Sequence, residues 1–186
     1  MRVFCTGAHS VGKTTLAKFI SDRYGLPLVT EVARAVLNEM ESNFDSIRVD
    51  MSRVAQYQHE VFKRQGAAEK AAGESFVSDR AFDHVAYAAE HSLVVADIIE
   101  SPEFKTYVES MRHGLIFFVR PCKELLHEDG VRETPIWDGV VRIDAMIKLL
   151  LEQWRLPYLS IHSASLQERV RAVEFVLRSA WPQRKN

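Results

Sequence analysis

Residues 7–14 read Gly7-Ala8-His9-Ser10-Val11-Gly12-Lys13-Thr14, a full match to G-x-x-x-x-G-K-[ST], and no other stretch constrains the chain as tightly. Ahead of the octet, Val3-Phe4-Cys5-Thr6 is short, apolar and β-prone; behind it, Leu16, Phe19, Ile20 and Tyr24 recur at helical spacing until Gly25. Strand, loop and helix are therefore expected in that order. Gly7 and Gly12 let the backbone turn its N–H groups inward, where with the positive end of the helix they can surround the β-phosphate of a nucleotide. Lys13 reaches the β- and γ-phosphates as a point charge, and the Thr14 hydroxyl is placed for Mg²⁺. His9, Ser10 and Val11 inside the loop and Thr15 beside it complete the expected contacts to ATP.

A chain of 186 residues that is 47% apolar suits one domain over residues 1–186, with a core covered on both sides. The net charge of −1 argues against a chain built as a whole to grip a long polyanion, although DNA as an acceptor stays compatible with a local basic groove. Cys5 and Cys122 are far apart, which predicts reduced thiols and a cytoplasmic setting. With no charged leader and no apolar run of spanning length, the chain is expected to be soluble, unexported and without a membrane partner. Its composition does not choose between a monomer and a homodimer.

Further along, Leu26 to Thr30 reads as a second strand closing on Glu31-Val32-Ala33-Arg34. In open α/β sheets ligands bind at the strands' C-terminal ends, so Glu31 and Arg34 are candidates for gripping an acceptor. Position alone suits a helix-opening acid and a solvated arginine equally. Residues 38–51 lack pattern and predict a connection. Ser52 to Ala72 reads as a helix with Val54, Tyr57, Val61 and Phe62 on one side; Gln56 and Gln58 offer amides that could pair with a base, though surface glutamines explain them as simply.

Ser75 to Ser78 reads as a third strand delivering Asp79-Arg80. After a phosphate loop, an acid in that place orients the Mg²⁺ shell or the acceptor hydroxyl; it would also cap a following helix over Ala81–Glu90. Residues 92–112 predict covering helices broken at Ser101-Pro102, and Leu115 to Val119 a strand buried on both faces. It ends at Arg120, on the same edge. Residues 122–140 carry turn chemistry and charge without periodicity, which predicts a lid bearing Arg132; on its own residues Arg132 reads as a solvated loop arginine. Arg142 to Trp154 is amphipathic, Leu156 to Ile161 predicts a fifth strand, and Leu166 to Trp181 a last helix with Leu166, Val170, Val173 and Leu177 inward. The turn before it, including Ser165, is expected beside the purine. None of the seven histidines has paired metal spacing.

Five strands alternating with helices predict an α/β, three-layer, doubly wound fold with right-handed crossovers. The segments GAHSVGKTTLA, TEVAR, VSDRAFD, EDGVRE and SASLQER resemble the AAA-like P-loop kinase family, which includes nicotinamide riboside kinase domains and phage-encoded nucleoside or nucleotide kinases. The resemblance covers most of the chain. It implies a five-stranded parallel sheet in the order 2-3-1-4-5 and an ATP- and Mg²⁺-dependent kinase acting on a nucleoside, nucleotide or related acceptor. It matches Asp79 and Arg80 to the D/E-R pair of such kinases, with Arg80 also touching the acceptor, Glu31 to the acid after strand two, and Arg132 to a lid arginine. It gives His9 no required role. Some phage relatives phosphorylate the hydroxymethyl group of a modified uracil within DNA, which stands as an alternative acceptor. A regulatory ATPase or GTPase is the alternative from another class, but no N/T-K-x-D segment occurs and no D-x-x-G follows the third strand.

Overall fold

Apolar runs bounded by turn residues pair in parallel wherever intervening helices carry the chain back across the sheet. A computed structural model describes residues 1–30, 32–40, 50–91, 94–125 and 137–180. Its strands are β1 (Arg2–Thr6), β2 (Leu28–Val29), β3 (Phe76–Ser78), β4 (Leu115–Val119) and β5 (Leu159–Ile161). They form one parallel sheet in the expected order, β2-β3-β1-β4-β5. β1 is central, with Val3 opposite Val77 of β3 and Cys5 opposite Phe117 of β4. Val3, Phe4, Cys5, Phe118 and Val119 are fully buried, as strands covered on both faces require.

The described helices are α1 (Lys13–Tyr24), α2 (Val32–Glu39), α3 (Met51–Ala71), α4 (Asp83–His91), α5 (Val95–Glu100), α6 (Pro102–Arg112), α7 (Trp137–Gln153) and α8 (Leu166–Ala180). Among the described residues no helix is long and apolar enough to cross a membrane. Ser101 ends α5 and caps α6, its hydroxyl accepting from the Phe104 N–H at 3.1 Å with Pro102 in the first turn. α2 and α3 share a small core of their own, made of Ala33, Val36, Leu37, Val54, Tyr57 and Val61.

Several expected boundaries move. Residues 32–39 continue as a helix instead of closing a strand, so Arg34 sits in the first turn of α2. α7 starts at Trp137, five residues before the expected Arg142, because Asp138 complements the helix start and Val140 is buried. The expected lid 122–140 therefore gives up its last four residues to α7, and Lys123–Leu125 forms one 3₁₀ turn. β5 is cut to three residues, since Pro157 has no N–H to give a ladder. Leu166, expected inward, is 49% exposed because it only opens α8; Val173 and Leu177 are fully buried.

A buried polar cluster locks α3 to the end of β3. The Gln65 amide donates to Glu69 Oε1 at 2.8 Å and to Ser78 Oγ at 2.9 Å, and the Ser78 hydroxyl donates to the same carboxyl oxygen at 2.8 Å. Ser78 precedes Asp79, so this cluster helps to set the strand end. Burial pushes the Glu69 carboxyl up to about 7. The folded protein thus keeps a proton that the unfolded chain, with an ordinary carboxyl near 4.5, has already released. Glu69 therefore contributes stability below that range and withdraws it as pH rises through about 7. Glu69→Gln should shrink the fall in urea midpoint between about pH 5 and pH 8 by roughly the effect of one proton; equal falls in both proteins would contradict this.

Candidate active site

Parallel order sends the ends of β1, β3 and β4 to one edge, where residues 7–12, 79–82 and 120–122 emerge. The loop after β1 needs its two glycines. Gly7 has φ 154° and Gly12 φ 88°; a Cβ on Gly7 would run into the Val119 carbonyl of β4, and one on Gly12 would lie 2.9 Å from Arg169 Nη1. Gly12 delivers Lys13, Thr14 and Thr15 to the first turn of α1, with the free N–H groups and positive end of that helix at the loop. His9 is held from α4, its N–H donating to Tyr87 Oη at 3.1 Å and its Nδ1 lying 2.5 Å from the same oxygen.

Lys13 points back into the protein. Its ammonium donates to the Ala8 carbonyl at 2.5 Å and lies 3.3 Å from Asp83 Oδ2. Asp83 is fully buried. Its Oδ1 accepts from the Thr6 hydroxyl, from the Ala81 N–H at 3.3 Å and from the Gly7 N–H at 3.5 Å. One carboxylate thus joins β1, the phosphate loop and the turn after β3. A phosphate entering the loop would draw Lys13 toward its own charge and leave Asp83 with three neutral donors.

Asp79 ends β3 beside Thr14. Asp79 Oδ2 accepts from the Thr14 hydroxyl at 2.6 Å and from the Thr30 hydroxyl at 3.2 Å. Burial pushes the Asp79 carboxyl up, against the opposing pull of Lys13 and the Thr14 hydrogen bond. Its Oδ1 is buried with no hydrogen-bond partner among the described residues. A hydroxyl beside a carboxylate with an unused oxygen is the hard-oxygen donor set that suits Mg²⁺, which keeps waters and takes its remaining ligands from phosphates. Among the described residues no group of three His, Cys, Asp or Glu side chains could hold an ion alone, so phosphate oxygens would be needed.

Arg80 is half-buried and makes no ion pair or hydrogen bond with the described residues. Gln58, on α3, is 6% exposed, and its amide makes no hydrogen bond with them either. At that exposure Gln58 is a largely buried side chain and not a surface glutamine. His84, next to Asp83, is buried between the rings of Phe62 and Tyr107 at 5.4 and 5.5 Å, and desolvation pulls its pKa down to about 3. Arg34 is exposed. Arg120 is taken up structurally: it meets the buried Asp144 of α7 at 2.9 and 2.7 Å and lies over the Phe118 ring at 4.9 Å. The Ser165 hydroxyl accepts from the Glu168 N–H at 3.4 Å and so caps α8. Glu31 and Arg132 lie outside the described residues.

No motif in the sequence assigns a role to Asp83, Tyr87 or Arg169. Their signal was faint but present. Asp83 directly follows the apolar Ala81-Phe82, Tyr87 follows it by one helical turn, and Arg169 falls on the inward stripe with Val170 and Val173. A charge on a buried face needs a partner or a function.

A family model for the AAA domain matches residues 2–169, and the chain belongs to that family. A comparison with curated protein sequences gives no match. Among solved structures, deoxyadenosine kinase from M. mycoides with products dCMP and dCDP is similar at TM-score 0.68 and 14% identity, over 96% of this chain and 100% of that one. The NadR protein in complex with NR is similar at TM-score 0.65 and 18% identity, over 96% of this chain and 50% of that one. Shikimate kinase from Acinetobacter baumannii in complex with shikimate is similar at TM-score 0.57 and 12% identity, over 99% and 95%. At these identities the likeness shows a shared fold, that of P-loop kinases.

The burial of Asp83 gives a direct expectation. Asp83→Ala leaves Lys13, Thr6 and two loop amides without their acceptor and should cost on the order of 3–5 kcal/mol, as breaking a buried pair does. Urea unfolding measures it, and a loss below about 1 kcal/mol, the scale of an exposed pair, would show that Asp83 does not hold the loop.

Proposed function

We propose that the chain transfers the γ-phosphoryl group of ATP to a hydroxyl of a nucleobase-containing acceptor, that is, a nucleoside, a nucleotide or a close relative. The observation that carries this reading is the meeting of Lys13, Thr14 and Asp79 at one strand edge, with Arg80, which has no ion pair among the described residues, next to Asp79 in the chain. A charge-gripping loop, an oxygen donor set and a further cation are what phosphoryl transfer needs, since positioning and charge neutralisation supply most of its catalysis. The acceptor class is supported by the likeness to a structure described as a deoxyadenosine kinase and by Gln58, a largely buried side chain whose amide is of the kind that pairs with the edge of a base.

The roles divide by geometry. Lys13 leaves Asp83 for the β- and γ-phosphates. Thr14 and Asp79 would hold Mg²⁺, which when bound neutralises phosphate charge. Because Asp79 Oδ2 is already engaged by two hydroxyls, we assign the general base to Glu31 and the metal role to Asp79. Glu31 takes the acceptor hydroxyl's proton while that oxygen bonds to the γ-phosphorus and the bond to the bridging oxygen breaks, releasing ADP. Arg80 faces the acceptor side, and Arg132, on a segment we propose as a lid within this single kinase domain, neutralises the transferring group. The roles of Glu31 and Arg132 rest on the sequence.

The test is transfer from γ-labelled ATP to nucleosides, nucleoside monophosphates, nicotinamide riboside, plain DNA and hydroxymethyluracil DNA. Label should appear in a nucleoside or nucleotide, and Lys13→Ala should reduce it by on the order of 10²-fold or more. Glu31→Gln should retain ATP binding but lose about 10²–10⁴-fold in transfer, while Asp79→Asn should also weaken the dependence on Mg²⁺. Label released only as free phosphate, with no acceptor labelled, would favour an ATPase and overturn the kinase reading.

A further inference from the structure

One buried cation remains outside the mechanism above. Arg169 lies in the first turn of α8 and is 3% exposed. An arginine used only for packing lays its stem on the surface and keeps its head in water; here the head is inside. Its Nε donates to the Ser163 carbonyl at 2.5 Å and its Nη1 to the Val11 carbonyl at 2.5 Å. Nη2 is buried and has no partner among the described residues. No carboxylate among those residues pairs with the guanidinium, and burial pulls its pKa below the usual arginine range. The close approach depends on Gly12, where a Cβ would stand 2.9 Å from Nη1.

The two carbonyls belong to different parts of the site. Val11 is inside the phosphate loop, and Ser163 is in the turn after β5, at the same sheet edge and before the capping Ser165. A guanidinium can hold both because its donors are set in a rigid planar fork, whereas a lysine ammonium is a single point on a flexible stem. An uncompensated buried charge is expensive unless an anion completes it.

We infer that Arg169 is a positioning residue of the donor site: it ties the phosphate loop at Val11 to the turn at Ser163, and the phosphates of the bound nucleotide supply the counter-charge that no carboxylate among the described residues does. The inference rests on residues 7–14 being the donor loop. It makes the phosphate and base sides of that site one mechanical unit. Occupation of the loop by phosphates alone then orders the turn after β5.

Calorimetric titration of the full chain with ADP and with inorganic tripolyphosphate, which has no base, separates the two effects. Arg169→Lys keeps the charge and loses the fork, so it should bind tripolyphosphate within about two-fold of the unsubstituted protein but ADP about ten-fold more weakly, the scale of one charged hydrogen bond. Arg169→Gln loses both and should weaken both ligands by about ten-fold or more. ADP affinities within about two-fold of the original in both variants would overturn the inference. In the unsubstituted protein, tripolyphosphate should slow amide exchange in residues 162–169 as well as 7–14; slowing confined to 7–14 would overturn it even where the variants fail to fold. If the unsubstituted protein binds neither ADP nor tripolyphosphate, the donor-loop reading itself falls.

Discussion

Parallel pairing of β1 with β3 on one side and β4 on the other fixes where the chemistry of this chain can occur. Because all three strands run the same way, their C-terminal ends release Gly7, Asp79 and Arg120 onto one edge. Register then sets the spacing. Phe4 opposite Ser78 puts the strand ends close enough for Asp83, a few residues beyond β3, to reach Thr6 and Gly7. The site is thus a consequence of strand order, and the strand order follows from apolar runs that have to be covered on both faces.

Two opposite charges hold the phosphate loop in different ways. Asp83 lies beneath it and satisfies donors from three segments, so Lys13 has a partner before any nucleotide arrives. Arg169 lies behind it and satisfies carbonyls, leaving one donor atom unused. A nucleotide takes over the partner of the first and supplies the missing anion of the second. Asp79 is poised likewise, with one oxygen on Thr14 and Thr30 and the other without a partner. Unsatisfied buried atoms of this kind are costly where a site has no ligand to receive; among the described residues those of Asp79 and Arg169 flank this loop, and others belong to Gln65, His84 and Trp154.

How much of this was legible in the sequence depends on what kind of signal each residue gives. Gly7, Gly12, Lys13 and Thr14 fall within one eight-residue stretch at a fixed spacing, and Asp79 ends an apolar strand, so they could be read directly. The sheet order came from the family resemblance, and the structure has the same order. Helix starts were less legible, as at Trp137, because an acid in the first turn and one buried valine outweigh weak periodicity. Asp83, Tyr87 and Arg169 were missed because each makes contacts remote in sequence: Asp83 with Thr6, Tyr87 with His9, Arg169 with Val11. Helical periodicity marks such residues as facing inward but cannot say what they meet there. Gln58 shows the converse: its place on the inward side of α3 was obscured because glutamine is common on surfaces.

The central claim is that Gly7 to Thr14 holds the phosphates of a nucleotide donor by exchanging the Lys13–Asp83 contact for a Lys13–phosphate contact. A crystal structure with Mg²⁺ and a non-hydrolysable ATP analogue tests it most directly. The account predicts phosphates inside the loop, the Lys13 ammonium on the β- and γ-phosphate oxygens and away from Asp83, and the ion beside Thr14 and Asp79. Nucleotide bound elsewhere, or Lys13 still seated on Asp83 with the loop filled, would contradict it.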